Sequence, residues 1–184
     1  MVNESDLIEE RISSERIYDG ARISCRRDTV KLGDGKTVIR DVVDHPGAVC
    51  ILPMIGPDKV CLVQQYRYPL EQITLEVPAG CMEANEDPLE TAKRELQEET
   101  GYLANRWRKL TSVYLAPGFC NEIMHIYLAE DLRMTQQHLD PDEYVNVVEC
   151  SFKELEKWVL DGTIIDGKTC IAYGLAKNGR DDSR

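Results

Sequence analysis

Between positions 94 and 101 the chain reads RELQEETG, with carboxylates at Glu95, Glu98 and Glu99. The flanking residues make this the end of a helix. Asp87 suits the N-cap, Pro88 the first turn, Glu90 the capping-box position and Gly101 the left-handed residue past the C-terminus. On an α-helix Leu89, Ala92 and Leu96 form one apolar stripe, and Glu99 falls about 20° from Ala92, at the stripe's margin. Glu95 stands beside it, one turn earlier. Like charges at this spacing repel, and carboxylates drawn toward a core need a proton, a partner or a cation. Arg94 lies on the Glu98 side and does not neutralise the whole cluster. Geometry alone leaves two readings level: a solvated acidic face, or hard oxygen ligands for Mg²⁺ or Mn²⁺.

The elements that must position this cluster follow from pattern. The 184 residues, 42% of them apolar, suffice for one domain with a real core. A strand-like region from Arg16 to Val43 turns at GDG (33–35), and its separate character divides the chain into an N-terminal antiparallel β region, 1–43, and a main domain, 44–184. The first 14 or so residues are polar and are expected to be mobile. GAVCILPMI and KVCLVQQYRY are apolar strands around a GPD turn, and ITLEVPAG is a shorter one. After the acidic helix come WRKLTSVYLA, NEIMHIYLAEDL and YVNVVEC as strands. Helices follow at 151–162, capped by Ser151 and Glu154, and at about 167–177; residues 178–184 read as a frayed tail. Strands and helices do not alternate as βαβ units, so the fold class is α/β of the α+β type, a mixed sheet packed between helices.

Composition excludes some functions. The net charge is -11, from 22 basic and 33 acidic residues, which argues against nucleic acid or an anionic membrane as partner. An anionic small substrate remains open, because a divalent metal inverts the local field. The seven cysteines form no C-x-x-C pair, and several sit in apolar runs. They read as small buried hydrophobes of a reducing, cytoplasmic compartment. No apolar leader or membrane-length run is present.

From Gly80 to Tyr102 the chain reads GCMEANEDPLETAKRELQEETGY. This resembles the signature of the Nudix hydrolases: a glycine, five residues, a glutamate, seven residues, then R-E-apolar-x-E-E-x-G-apolar. Gly80, Glu86, Arg94, Glu95, Leu96, Glu98, Glu99 and Gly101 all fall in register. Tyr102 departs, standing where an aliphatic residue is usual. The resemblance implies a Nudix α/β/α sandwich and a loop–helix–loop holding Mg²⁺, with Mn²⁺ able to substitute, against a diphosphate. Glu95, Glu98 and Glu99 match the metal-binding glutamates, and the Ala79 carbonyl resembles a further ligand. Glu86 and Arg94 match a salt bridge that steadies the motif.

Flanking stretches resemble the ADP-ribose pyrophosphatase subgroup: RDVVDHPGAV, VQQYRYPLEQITLEVPAG, and APGFCNE, whose Pro117 stands fifteen residues past Tyr102. The implied activity is hydrolysis of ADP-ribose or an ADP-sugar to AMP and a sugar phosphate, with GDP-mannose or another nucleotide sugar as alternative substrate. A non-catalytic ligand sensor is a third reading, against which stand the intact box glutamates. The resemblance gives substrate contacts to Arg67, Glu122, Arg40, Tyr18 and Pro117. Read without it, Arg67 is a strand arginine covering apolar surface, and Tyr18 is ordinary packing. The general base in such enzymes lies on a loop after the sheet, here HLDPDEYV. Glu143 is the first choice, Asp142 the second, and Glu98 within the box the alternative. The N-terminal β region buries little by itself, and the expected assembly is a homodimer that exchanges it.

Overall fold

The computed structural model describes residues 3–181. The chain divides into two compact units: Met1–Gly47 with Tyr114–Ile123, and Ala48–Val113 with Met124–Arg184.

In the first unit a 3-10 turn at Glu4–Leu7 precedes β1 (Glu10–Asp19), β2 (Ser24–Lys31) and β3 (Thr37–Asp44), which form an antiparallel sheet in that order. The turn at GDG closes between Leu32 and Lys36, with Gly35 at φ 86°, where glycine carries no steric penalty. Strand structure begins at Glu10, earlier than the expected Arg16. The stretch ERISSE lacks apolar alternation, yet its backbone ladders with β2, Glu10 opposite Lys31 and Glu15 opposite Arg27. The APGFCNE segment folds into a turn, Cys120 N–H donating to the Ala116 carbonyl at 2.9 Å. It is stitched to the end of β3 by Val43 N–H to Phe119 O, 2.7 Å, and Asn121 N–H to Val43 O, 3.3 Å.

In the second unit β4 (Ala48–Pro53), β5 (Lys59–Arg67), β6 (Gln72–Glu76) and β7 (Ala79–Cys81) precede α1 (Pro88–Thr100). Then come β8 (Tyr102–Tyr114), β9 (Ile123–Met134), β10 (Val145–Ser151), α2 (Phe152–Leu160) and α3 (Gly167–Asp181). One sheet has the order β7-β4-β9-β8, with β4 and β9 parallel; the other is β10-β5-β6. β4 is buried at every position because both its faces are covered. Val49 and Ile51 pack with Ala92 and Leu96 of α1, while Ala48, Cys50 and Leu52 pack with Leu155 of α2 and Ala172 and Ala176 of α3. One side of β4 thus faces α1 and the other faces α2 and α3, which is the expected sandwich.

Helix ends follow local chemistry. Asp87 caps α1 by accepting from Leu89 N–H at 2.9 Å, and Gly101 takes φ 73° past its end. Glu90 does not close a capping box; it pairs with Lys93 at 2.7 Å. Ser151 and Glu154 do form one on α2. Helix α3 continues to Asp181, into the stretch expected to fray from residue 178; residues 182–184 of that stretch lie outside the described residues, as do 1 and 2 of the polar N-terminus. Among the described residues no helix is long and apolar enough to cross a membrane.

Candidate active site

Helix α1 carries the acidic cluster to the core. Glu95 is 9% exposed and Glu99 3%, whereas Glu98 is only partly covered. The margin position is therefore a buried one, and the solvated-face reading fails for two of the three carboxylates. Glu95 lies against the backbone of Gly80: a β-carbon there would stand 2.0–2.3 Å from its carboxyl atoms. Glycine is needed at that position for close approach rather than for its backbone angle. Glu99 accepts the Ala79 N–H at 3.0 Å, tying the helix to β7.

Arg94 does more than its place on the helix implied. It donates to both oxygens of Glu86, at 3.1 Å each, and also to Glu95 at 2.7 Å and Glu98 at 2.9 Å. A further bond reaches the Cys81 carbonyl. One guanidinium is both a strut to the loop and a counter-ion to the cluster. These pairs hold the Glu86 carboxyl down to about 2. Burial pushes Glu95 up to about 7 against the pull of Arg94, with Glu98 and Glu143 adding like charge. Burial pushes Glu99 up to about 8, against the Ala79 N–H and Arg67, with Glu95 and Glu143 again adding like charge.

This donor set fits a hard divalent cation. Two buried carboxylates share one field and resist ionisation together, which is the condition a dication relieves. Among the described residues no three acidic, cysteine or histidine side chains already converge on one point. Arg94 holds Glu95 and Glu98, and the Ala79 N–H holds Glu99.

The loop after β9 is fastened to the carbonyls at the end of α1 that have no partner within the helix. Thr135 donates to Gly101 O through its N–H, 2.6 Å, and its hydroxyl, 2.7 Å. Gln137 Nε2 donates to Glu99 O at 2.6 Å and His138 N–H to Glu98 O at 3.1 Å. These bonds satisfy helix-end acceptors that otherwise lack partners. The same loop carries the base candidates: Glu143 is partly buried, and its charge acts on both Glu95 and Glu99, whereas Asp142 is exposed.

Arg67, at the end of β5, meets Glu76 edge-on, Nε to Oε1 at 2.8 Å and Nη2 to Oε2 at 2.6 Å. Its charge is felt at Glu99, which brings it into the electrostatic field of the cluster. The sequence reading overlooked Glu76, and with it Thr74, Lys168, Gln137 and Thr135. The alternation of ITLEVPAG sets Glu76 and Thr74 opposite Ile73, Leu75 and Val77, which reads as a solvent face, whereas the structure buries Thr74 and Glu76 and exposes Ile73.

The other four substrate candidates belong to the first unit. Arg40 on β3 is paired with Glu9, at 3.0 and 2.6 Å. Tyr18 on β1 is 56% exposed, with its ring against Gly20. Pro117 is exposed at the turn of APGFCNE, and Glu122, partly buried, follows it with its N–H toward Cys120 Sγ at 3.4 Å.

Tyr102, the residue that departs from the box pattern, is 5% exposed in the core beside Leu96, with its hydroxyl donating to Glu149 at 2.8 Å. An aromatic ring therefore serves the packing role of an aliphatic one.

Comparison with known proteins bears on this geometry. The chain is 42% identical over 168 residues to an ADP-ribose pyrophosphatase of Bacillus subtilis (strain 168), covering 90% of this chain and 91% of that one. It is 40% identical over 166 residues to a methanol dehydrogenase activator of Bacillus methanolicus, covering 89% and 90%. A crystal structure of an ADP compounds hydrolase superposes with a TM-score of 0.86 over 98% of both chains, at 20% identity, and shares the fold. Residues 44–168, which hold the acidic helix, its glycine and the fastened loop, match the NUDIX domain, and the chain belongs to that family.

Proposed function

We propose that this protein hydrolyses the diphosphate of ADP-ribose, or of a closely related ADP-sugar, to AMP and a sugar phosphate such as ribose 5-phosphate. The carrying observation is the pair of buried carboxylates, Glu95 and Glu99, on a helix whose end anchors the loop bearing Glu143. Strong identity to an ADP-ribose pyrophosphatase over nine-tenths of the chain supports the choice of substrate. Glu95, Glu98, Glu99 and the Ala79 carbonyl would hold Mg²⁺, or Mn²⁺ in its place. The metal, when bound, offsets the charge of the diphosphate, polarises phosphorus and makes water a better nucleophile.

The chain's own residues do the rest. Arg67 presents positive charge to a phosphate. Glu143 accepts the proton of the attacking water, with Asp142 as its nearest substitute and Glu98 as the alternative within the box. Water oxygen bonds to one phosphorus as the bond from that phosphorus to the bridging oxygen breaks, and the bridging oxygen leaves on the other phosphate. Arg40 and Tyr18 are assigned to phosphate and adenine, Glu122 to the terminal ribose and the metal, and Pro117 to the turn that presents Glu122 to the substrate. The active assembly is a homodimer sharing the N-terminal sheet. The cytoplasm suits it, since all seven cysteines are free thiols.

A panel of nucleotide sugars with Mg²⁺, followed by nucleotide release, tests the reading. ADP-ribose is expected to be turned over best, yielding AMP. Turnover of GDP-mannose with none of ADP-ribose would overturn the specificity, and no turnover of any member would leave the ligand-sensor reading in its place.

A further inference from the structure

Glu76 lies at the end of β6 and is 2% exposed, with all four of its acceptor positions taken. Oε1 accepts Arg67 Nε at 2.8 Å and the Thr74 hydroxyl at 2.5 Å; Oε2 accepts Arg67 Nη2 at 2.6 Å and Lys168 Nζ. Lys168, 8% exposed on the first turn of α3, also donates to Asp166 Oδ1 at 2.9 Å. Asp166 is fixed in turn, its Oδ2 accepting the Thr169 N–H at 3.0 Å and the Thr169 hydroxyl at 2.5 Å. Two carboxylates and two cations thus form a partly buried chain of balanced charge from the start of α3 to the tip of β5, Glu76 and Lys168 buried and Arg67 partly exposed at its end.

A buried ion network of this kind is a poor source of stability, because desolvation offsets most of its attraction. What it does supply is orientation. A carboxylate with four donors cannot rotate, so the guanidinium fork laid against it cannot rotate either. The pairing uses the Nε–Nη2 edge and leaves Nη1 out of it.

We propose that Lys168, seated by Asp166, is a positioning residue for substrate binding: through Glu76 it holds the Arg67 guanidinium in one orientation, with Nη1 left for a phosphate oxygen of the diphosphate. This rests on the reading of Arg67 as a substrate contact. Lys168 also offsets the charge of Glu76, so that Arg67 is not wholly neutralised by its own partner. Removing Lys168 leaves the network with one net negative charge and takes one of the four donors from the Glu76 carboxylate, loosening its hold on the guanidinium.

A double-mutant cycle on the full-length protein tests the proposal, reading KM for ADP-ribose and Kd for its non-hydrolysable α,β-methylene analogue. Lys168→Met is expected to raise both about tenfold while kcat falls less than about threefold. In an Arg67→Ala background the same substitution is expected to move them less than about twofold, because its effect passes through the arginine. Equal factors in both backgrounds, or no change in either, would overturn the positioning role while leaving Arg67 as a contact. An Arg67→Ala protein with unchanged KM and Kd would remove the contact reading itself, and the proposal with it. Thermal melting reports whether each variant is folded. If Lys168→Met alone does not fold, the neutral pair Glu76→Gln/Lys168→Met replaces it, with the same expectation for KM and the same outcome overturning it.

Discussion

At Gly80 one methyl group is enough to disturb the cluster. A β-carbon there collides with the Glu95 carboxylate, which is the free end of a long side chain, so the carboxylate and not the backbone must give way. Gly80→Ala is therefore expected to cost activity more than stability. Catalytic efficiency should fall by about 10–100-fold, the range for groups that orient a metal ligand, while the thermal midpoint stays within a few degrees. A collapse of the midpoint with activity intact in the folded fraction would contradict this. The base assignment is also decided residue by residue. Glu143→Gln should lower kcat by roughly 10²–10⁴-fold, the usual worth of a general base. Asp142→Asn, at an exposed carboxylate, should change it little. The reverse order would exchange the two roles, and a large effect of Glu98→Gln alone would move the base into the box.

Between elements, Glu76 offers a measurable link of β6 to β5 and α3. Its folded carboxyl lies near 2, because Arg67, Lys168 and Thr74 hold the charged form against burial, and its ordinary value is 4.5. A depressed carboxyl contributes stability that is present above the unfolded value and lost as pH falls through the folded one. The window is thus pH 4.5 down to 2, and the ionised carboxylate is favoured over the protonated one by about 3 kcal/mol at its fullest, a difference between protonation states that desolvation of the network offsets in net stability. The difference in unfolding free energy between the natural protein and Glu76→Gln should narrow across that window; a difference independent of pH would refute the linkage. Lys168 and Glu76 are 92 residues apart, so no spacing in the sequence announces the pair. The same limit hides Gln137, whose partner is a main-chain carbonyl on α1. Local features were legible: the caps Asp87 and Gly101, the turn at GDG, and the stripe that places Glu95 and Glu99 at the core. Helical geometry misjudged Arg94, since a long side chain reaches partners that Cβ directions do not indicate. The start of β1 was not legible because ERISSE has no apolar alternation and is carried by its backbone ladder with β2.

For the whole molecule the open question is how many chains make the working unit. In the first unit β1 is exposed along all ten residues, and β2 buries only Asp28 and Val30. Ile12, Ile17, Tyr18 and Ile39, all on β1 or β3, remain 46–56% exposed. A three-stranded sheet with so little of its own core is marginal unless another surface covers it, and its exposed large apolar side chains are the groups such a surface would cover. Self-association satisfies both conditions and is the expected state. Sedimentation equilibrium should give twice the 20.9 kDa of one chain at micromolar concentration. A charge placed on that surface by Ile39→Asp should shift the equilibrium toward monomer, and with it raise KM if Arg40 and Tyr18 serve the neighbouring chain's substrate. In a homodimer whose stability includes association, the thermal midpoint must also rise with protein concentration. A monomeric mass, together with a midpoint independent of concentration, would return the N-terminal sheet to the chain that carries it and require Arg40 and Tyr18 to act there or not at all.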